Sequence, residues 1–109
     1  MKAGLAKSEL PEPRRRLVEL MQSLNFGRIE FLPVRDGQPM LDPPPRIVRE
    51  YKLGAENGPR AELATGNFLL KGQVIDLFRH LAELGTATVE VLEVKNGLPF
   101  RMLVAERTV

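Results

Sequence analysis

Two dipeptides constrain this chain more than anything else in it: Asp36-Gly37 and Asn96-Gly97, each set between strand-like runs. A two-residue hairpin turn of type I′ needs positive φ at both central positions, and Asn, Asp and Gly adopt that at least cost. Each pair therefore predicts a β-hairpin. The flanking runs also match one another. Residues 29–40, IEFLPVRDGQPM, lie over residues 89–100, VEVLEVKNGLPF, and share Glu30/Glu90, Leu32/Leu92, Val34/Val94, Gly37/Gly97 and Pro39/Pro99. An internal repeat of this kind fixes architecture early, because two copies of one unit share one fold.

A helix is predicted before each hairpin. The first opens at Leu10-Pro11-Glu12-Pro13, since proline suits the first helical turn and Glu12 suits its positive dipole end. Leu17, Leu20, Met21 and Leu24 form its apolar stripe, Val18 widens it, and Asn25 and Gly27 supply residues that stop it. The second starts at a Thr65 or Asn67 cap and ends at Gly85. Its seam is Leu70, Val74, Leu77, Leu81 and Leu84, flanked by Ile75 and Phe78. LVELMQSL (17–24) lies over VIDLFRHL (74–81) at an offset of 57, against 60 for the hairpins, which places a three-residue insertion in the second helix-to-strand joint.

Two irregularities mark the strands. Asp42-Pro43-Pro44-Pro45 interrupts the return strand that begins at Gln38 and resumes over Arg46–Leu53, because proline cannot donate to a sheet ladder. The same stretch is also a candidate polyproline ligand. The alternation slips near positions 31 and 91 in both central strands. A single-residue bulge there would return Ile29, Phe31, Leu32 and Val34 to one face; a strand covered on both sides explains the pattern equally well.

The chain has 109 residues, enough for one domain. Residues 1–10 read as a flexible tail and 11–109 as a single domain of two related halves, 11–53 and 67–107, joined by the glycine-rich loop 54–66. The expected fold is α+β, in the order α-β-β-β-α-β-β: duplicated helix–β-hairpin units whose strands form one antiparallel sheet with two helices packed on one face. Over residues 14–53, the stretch LVELMQSLNFGRIEFLPVRDGQP followed by RIVREYKL resembles the YezD-like family of small bacterial domains of unknown function. The matching positions are Leu17, Leu20, Phe26-Gly27, Ile29, Val34, Asp36 and Gly37; Pro33 and the Pro43–Pro45 insert depart from the pattern. The resemblance implies the helix–hairpin fold and brings no catalytic residues.

Composition excludes several chemistries. There is no cysteine, so no disulfide, thiolate metal site or cysteine nucleophile. One histidine, His80, cannot build a multi-histidine metal site. No apolar run approaches a membrane span and the N-terminal residues lack a secretory apolar stretch, so the expected location is cytoplasmic, with no cofactor and no membrane contact. Asp76 and His80, four apart on a helix, and the strand carboxylates Glu30, Glu90 and Glu93 are the candidates for acid–base chemistry, with no nucleophile or phosphate-loop motif beside them.

Sixteen Lys and Arg against 14 Asp and Glu leave a net charge of only +2. Any anion binding must therefore be local. The candidate contacts for nucleic acid or another anion are Arg14, Arg15, Arg16, Arg46, Arg49, Lys52 and Arg60. Arg14–Arg16 stand out because they load positive charge onto a helix N-terminus, the wrong end for the dipole. With few aromatics for base stacking, solvated charge is the preferred reading over a nucleic-acid surface. The expected function is a non-enzymatic interaction or regulatory module acting through a sheet face or edge on an unknown protein partner, with a weak nucleic-acid or anion binder as the alternative; a homodimer is expected through the wide apolar arc of the second helix.

Overall fold

The computed structural model describes residues 6–54 and 71–106. A single 3-10 turn (Lys7–Glu9) leads into α1 (Glu12–Leu24), β1 (Gly27–Arg35), β2 (Gln38–Pro39), β3 (Arg46–Arg49), α2 (Gly72–Leu84), β4 (Ala87–Lys95) and β5 (Leu98–Leu103). Two helices and a five-stranded antiparallel sheet make the α+β fold that the sequence predicts. The sheet runs β2-β1-β4-β5, with β3 paired to β1 as well. β2 meets β1 at Val34↔Pro39, and β3 meets it further back at Ile29↔Ile47, so the two short strands divide one edge of β1.

Both hairpin turns take the predicted conformation: φ is positive at Asp36 and Gly37 and again at Asn96 and Gly97. The central ladder joins β1 to β4, with Ile29 opposite Leu92 and Leu32 opposite Val89. Ile29, Leu32 and Val34 from β1 and Val89, Leu92 and Val94 from β4 are all buried. They share one apolar cluster with Leu17, Val18 and Met21 of α1 and Val74, Leu77, Phe78 and Leu81 of α2. Both helices thus cover the same sheet face, because a half-buried sheet presents its apolar set to one side only.

The helices end alike. The C-caps, Asn25 and Gly85, both have left-handed φ (64° and 69°), and each donates back into its helix. The turn of each hairpin then docks on the end of the other helix. Gly37 N–H donates to the Gly85 carbonyl at 2.9 Å, and Gly97 N–H donates to the Asn25 carbonyl at 2.9 Å. These bonds satisfy carbonyls that a helix terminus leaves orphaned.

Several expectations need correction. α1 and α2 each span 13 residues, and helix and central strand keep a constant offset of 60 (12 to 72, 27 to 87). The offset of 57 is therefore wrong. Leu17 corresponds to Leu77 and Met21 to Leu81, all buried. The 57-residue match paired similar letters one helical turn out of place. α2 begins at Gly72 with Lys71 as its N-cap; Thr65, Asn67 and Leu70 lie outside the described residues. The N-terminal tail is packed from Ala6 onward: Lys7 and Leu10 are buried, and Lys7 Nζ sits 3.5 Å from Glu19 on α1. The resumed return strand stops at Arg49, not Leu53. Met40 keeps one bond to the Pro33 carbonyl, and residues 41–45 have no sheet pairing between β2 and β3, so the strand is broken there.

The slip in alternation has its own resolution. β1 and β4 keep one alignment on both sides of position 31, but Phe31 itself drops out of the pairing, takes φ +55° and is 62 % exposed. The irregularity expels Phe31 from the core face instead of returning it there, while Leu32 and Val34 rejoin Ile29. The register shift in the sheet lies elsewhere, between Glu93 and Val94 against β5.

Gly27 and Gly85 separate two costs of adding a side chain. A Cβ on Gly27 would lie 2.1 Å from the Val48 carbonyl oxygen of β3, whereas one on Gly85 meets nothing within 4 Å and bears only its positive φ. Gly85→Ala is expected to cost about 1 kcal/mol. Gly27→Ala should cost more than twice that by pushing β3 off β1. Urea unfolding midpoints of the two variants measure the difference; equal midpoints would refute the close approach.

Candidate functional site

Among the described residues, nothing covers the sheet face turned away from the helices. Cross-strand pairing puts Arg46, Glu30, Val91 and Leu103 in one row across β3, β1, β4 and β5, and Val48, Arg28, Glu93 and Arg101 in the next. Charges on this face are paired. Glu30 accepts from Arg28 at 2.6 Å and from Arg46 at 3.0 Å, and Glu93 accepts from Arg101. The Arg28 hydrogen bond holds the Glu30 carboxyl below its ordinary range, with further help from both guanidinium charges. Among these ion pairs stands Phe31, with Leu103 also exposed (45 %).

On the helix side, a groove of about 290 Å³ runs between α2 and β5. Leu77, Leu92, Pro99 and Met102 line it, with Asp76 and His80 at the helix rim. His80 Nε2 lies 3.6 Å from Asp76 and Nδ1 3.7 Å from Glu83, both across single helical turns on a half-exposed surface. Asp76 also accepts from Arg79. Glu90 belongs to β4 and does not line the groove, so Asp76, His80 and Glu90 do not gather as a catalytic set would. Among the described residues, no group of three His, Asp or Glu side chains is placed to hold a metal ion. No helix there is long and apolar enough to cross a membrane.

The basic residues singled out by sequence go separate ways. Arg14 donates to the Gly37 carbonyl at 3.3 Å and lies 5.2 Å from the Phe78 ring centre, clamping the first turn between the helices. Arg15 sits 3.9 Å from Glu12. Arg16 grips both carboxylate oxygens of Asp42 (2.9 and 3.3 Å). Arg46 pairs with Glu30. Arg49 reaches under α1 and donates to the Ser23 and Leu24 carbonyls (3.2 and 2.9 Å). Lys52 rests 4.0 Å from the centre of the Phe26 ring. Arg60 lies outside the described residues. Six of the seven candidates therefore have intramolecular contacts, and two of those, from Arg14 and Arg49, go to backbone carbonyls.

Sequence reasoning missed Phe31 and the groove. The broken alternation at position 31 was the available signal for the first. The groove has no sequence signature, because it arises from where β5 lies relative to α2. No protein-family profile matches the chain, and neither a curated protein nor a solved structure is significantly similar to it.

Two expectations follow from these contacts. The Arg16 hydrogen bond holds the Asp42 carboxyl below its ordinary range, as Arg28 does for Glu30. A carboxyl with a lowered folded pKa contributes stability that is complete above the unfolded value, about pH 4, and lost as pH falls through the folded value. Asp42→Asn and Glu30→Gln should be less stable than the parent at pH 7, with the gap closing towards pH 2 in urea titrations; a pH-independent gap would contradict the pairing. Arg49→Ala should cost about 1–3 kcal/mol at pH 7, because it strips donors from the end of α1, and the loss should appear in thermal unfolding.

Proposed function

We propose that the chain is a non-enzymatic interaction module that engages a protein surface, in the first instance a second copy of itself, through the uncovered sheet face centred on Phe31. One observation carries this reading: a bulky apolar side chain is 62 % exposed on a backbone with φ +55°. Left-handed backbone costs a non-glycine residue roughly 1–2 kcal/mol, and such strain concentrates where a side chain is held out for use. Leu103, with the half-buried Val91 beside it, extends the apolar patch, and the ion pairs of Glu30 and Glu93 lie on the same face. An apolar centre within a polar rim is the usual anatomy of a protein interface.

The proposal includes the origin of the molecule as a duplicated helix–hairpin unit, in keeping with the YezD-like resemblance of its first half. The constant 60-residue offset, the two left-handed C-caps and the reciprocal turn contacts support it. Leu77 at the middle of the α2 seam is 5 % exposed and belongs to the core, so a second-copy contact at α2 would fall on its flank, where Ile75 is 42 % exposed.

Phe31→Gly tests the reading by separating strain from use. Glycine tolerates positive φ, so the variant should be as stable as the parent or up to about 1 kcal/mol more stable. It should sediment as a monomer at concentrations where the parent forms a dimer. A clear loss of thermal stability would make Phe31 a structural residue and overturn the proposal.

A further inference from the structure

The two helix–strand grooves of the molecule are treated differently, and the difference identifies an occupant. Beside α1 the chain covers its own groove. After β2, residues 40–45 swing off the sheet; Met40 N–H still donates to the Pro33 carbonyl at 2.8 Å, Leu41 is buried in the core cluster, and Asp42 is held by Arg16 on α1. A leucine thus plugs the gap while the next residue, a carboxylate, locks it to the helix. Beside α2 the corresponding segment stays in the sheet. β5 runs on through Arg101 and Met102, paired to β4, and among the described residues the gap between β5 and α2 stays open.

The charge at the matching helix position is inverted, with Arg79 pairing with Asp76 on the helix and Arg101 lining the strand side of the groove. Asp76 on α2 holds the place that Arg16 holds on α1, at the same 60-residue offset that relates the helices. A segment that filled this groove as Leu41-Asp42 fills the first would meet a carboxylate where Asp42 meets a guanidinium. We infer that the α2–β5 groove is a docking site for an extended peptide segment of a partner protein, in which an apolar residue enters between Leu77 and Met102 and an adjacent Arg or Lys pairs with Asp76. The groove of about 290 Å³ is at the lower end of the range usual for a ligand cleft and suits one or two side chains. Phe100, 56 % exposed at its lip, extends the apolar contact. This site lies on the helix side of the sheet, away from Phe31, and does not depend on the role proposed for that face.

The probes are two synthetic peptides copying residues 38–46, one with the native QPMLDPPPR sequence and one carrying Asp42→Arg. Binding to the full chain is followed by amide chemical shifts in two-dimensional NMR. The Asp42→Arg peptide is expected to shift Asp76, Leu77, His80 and Met102 and to bind more tightly than the native sequence. An exposed ion pair is worth about two- to fivefold in affinity, so the preference should be of that size at low salt and shrink as salt rises. Asp76→Arg should reverse the order of the two peptides, and Phe31→Gly should leave both unchanged. Absence of shifts up to millimolar peptide, or shifts centred on Phe31, would overturn the assignment. So would a peptide order indifferent to Asp76→Arg. A dimer of the chain that either peptide dissolves equally would give the groove to a second copy and overturn it too.

Discussion

The structure depends on one non-local ladder, the antiparallel pairing of β1 with β4. Residues some 60 positions apart in sequence form the two central strands, and the buried set on each, Ile29, Leu32 and Val34 with Val89, Leu92 and Val94, exists as a single face only when they pair. Neither helix–hairpin unit can cover its own helix stripe. Pairing brings the two apolar half-faces into one surface wide enough for both helices, which is why the core is continuous. The reciprocal bonds from Gly37 to Gly85 and from Gly97 to Asn25 belong to the same arrangement. They tie each turn to the helix of the other unit and set how far the units can slide.

Differences between the halves arise at the strand that follows each turn. In the first half, the chain leaves β1 after Met40 to pack Leu41 and Asp42 against α1, and the three prolines that follow supply no ladder donors until β3. In the second half, the sequence after Pro99 has no such run, so β5 continues to Leu103. The outcome is one closed groove and one open one on a molecule whose two helices are otherwise matched in length and capping. A local property of the backbone, the lack of an N–H, thereby decides a feature of the surface.

The arginines show how charges adjacent in sequence acquire separate partners in the fold. Three in a row at the first turn of a helix suggest an anion site, because the neighbouring Glu12 offsets only one of the three charges. In the fold, Arg14 turns inward to the Gly37 carbonyl and the Phe78 ring, and Arg16 meets Asp42, 26 residues away. Arg49 serves the carbonyl end of α1 from another strand. Helix termini and turns expose backbone carbonyls that need donors, and here long guanidinium side chains supply them.

Local chemistry was legible in the sequence. The Asp-Gly and Asn-Gly pairs dictated both hairpins, the apolar spacing of Leu17 to Leu24 and Val74 to Leu84 dictated both helix faces, and Pro43–Pro45 dictated a break, because each of these acts within a few residues along the chain. The helix correspondence was misread by one turn, since side-chain similarity in a heptad-like stripe recurs every three or four residues, and only burial in a shared core selects the right match. What tertiary structure alone decided was the partner of every long-range contact: β4 beside β1, Arg49 beneath α1, Phe31 turned outward, and a groove left beside β5. The physical reason is that a sequence fixes local dihedral preferences and a pattern of apolar surface, whereas the choice among ways of burying that surface depends on which distant elements meet across it.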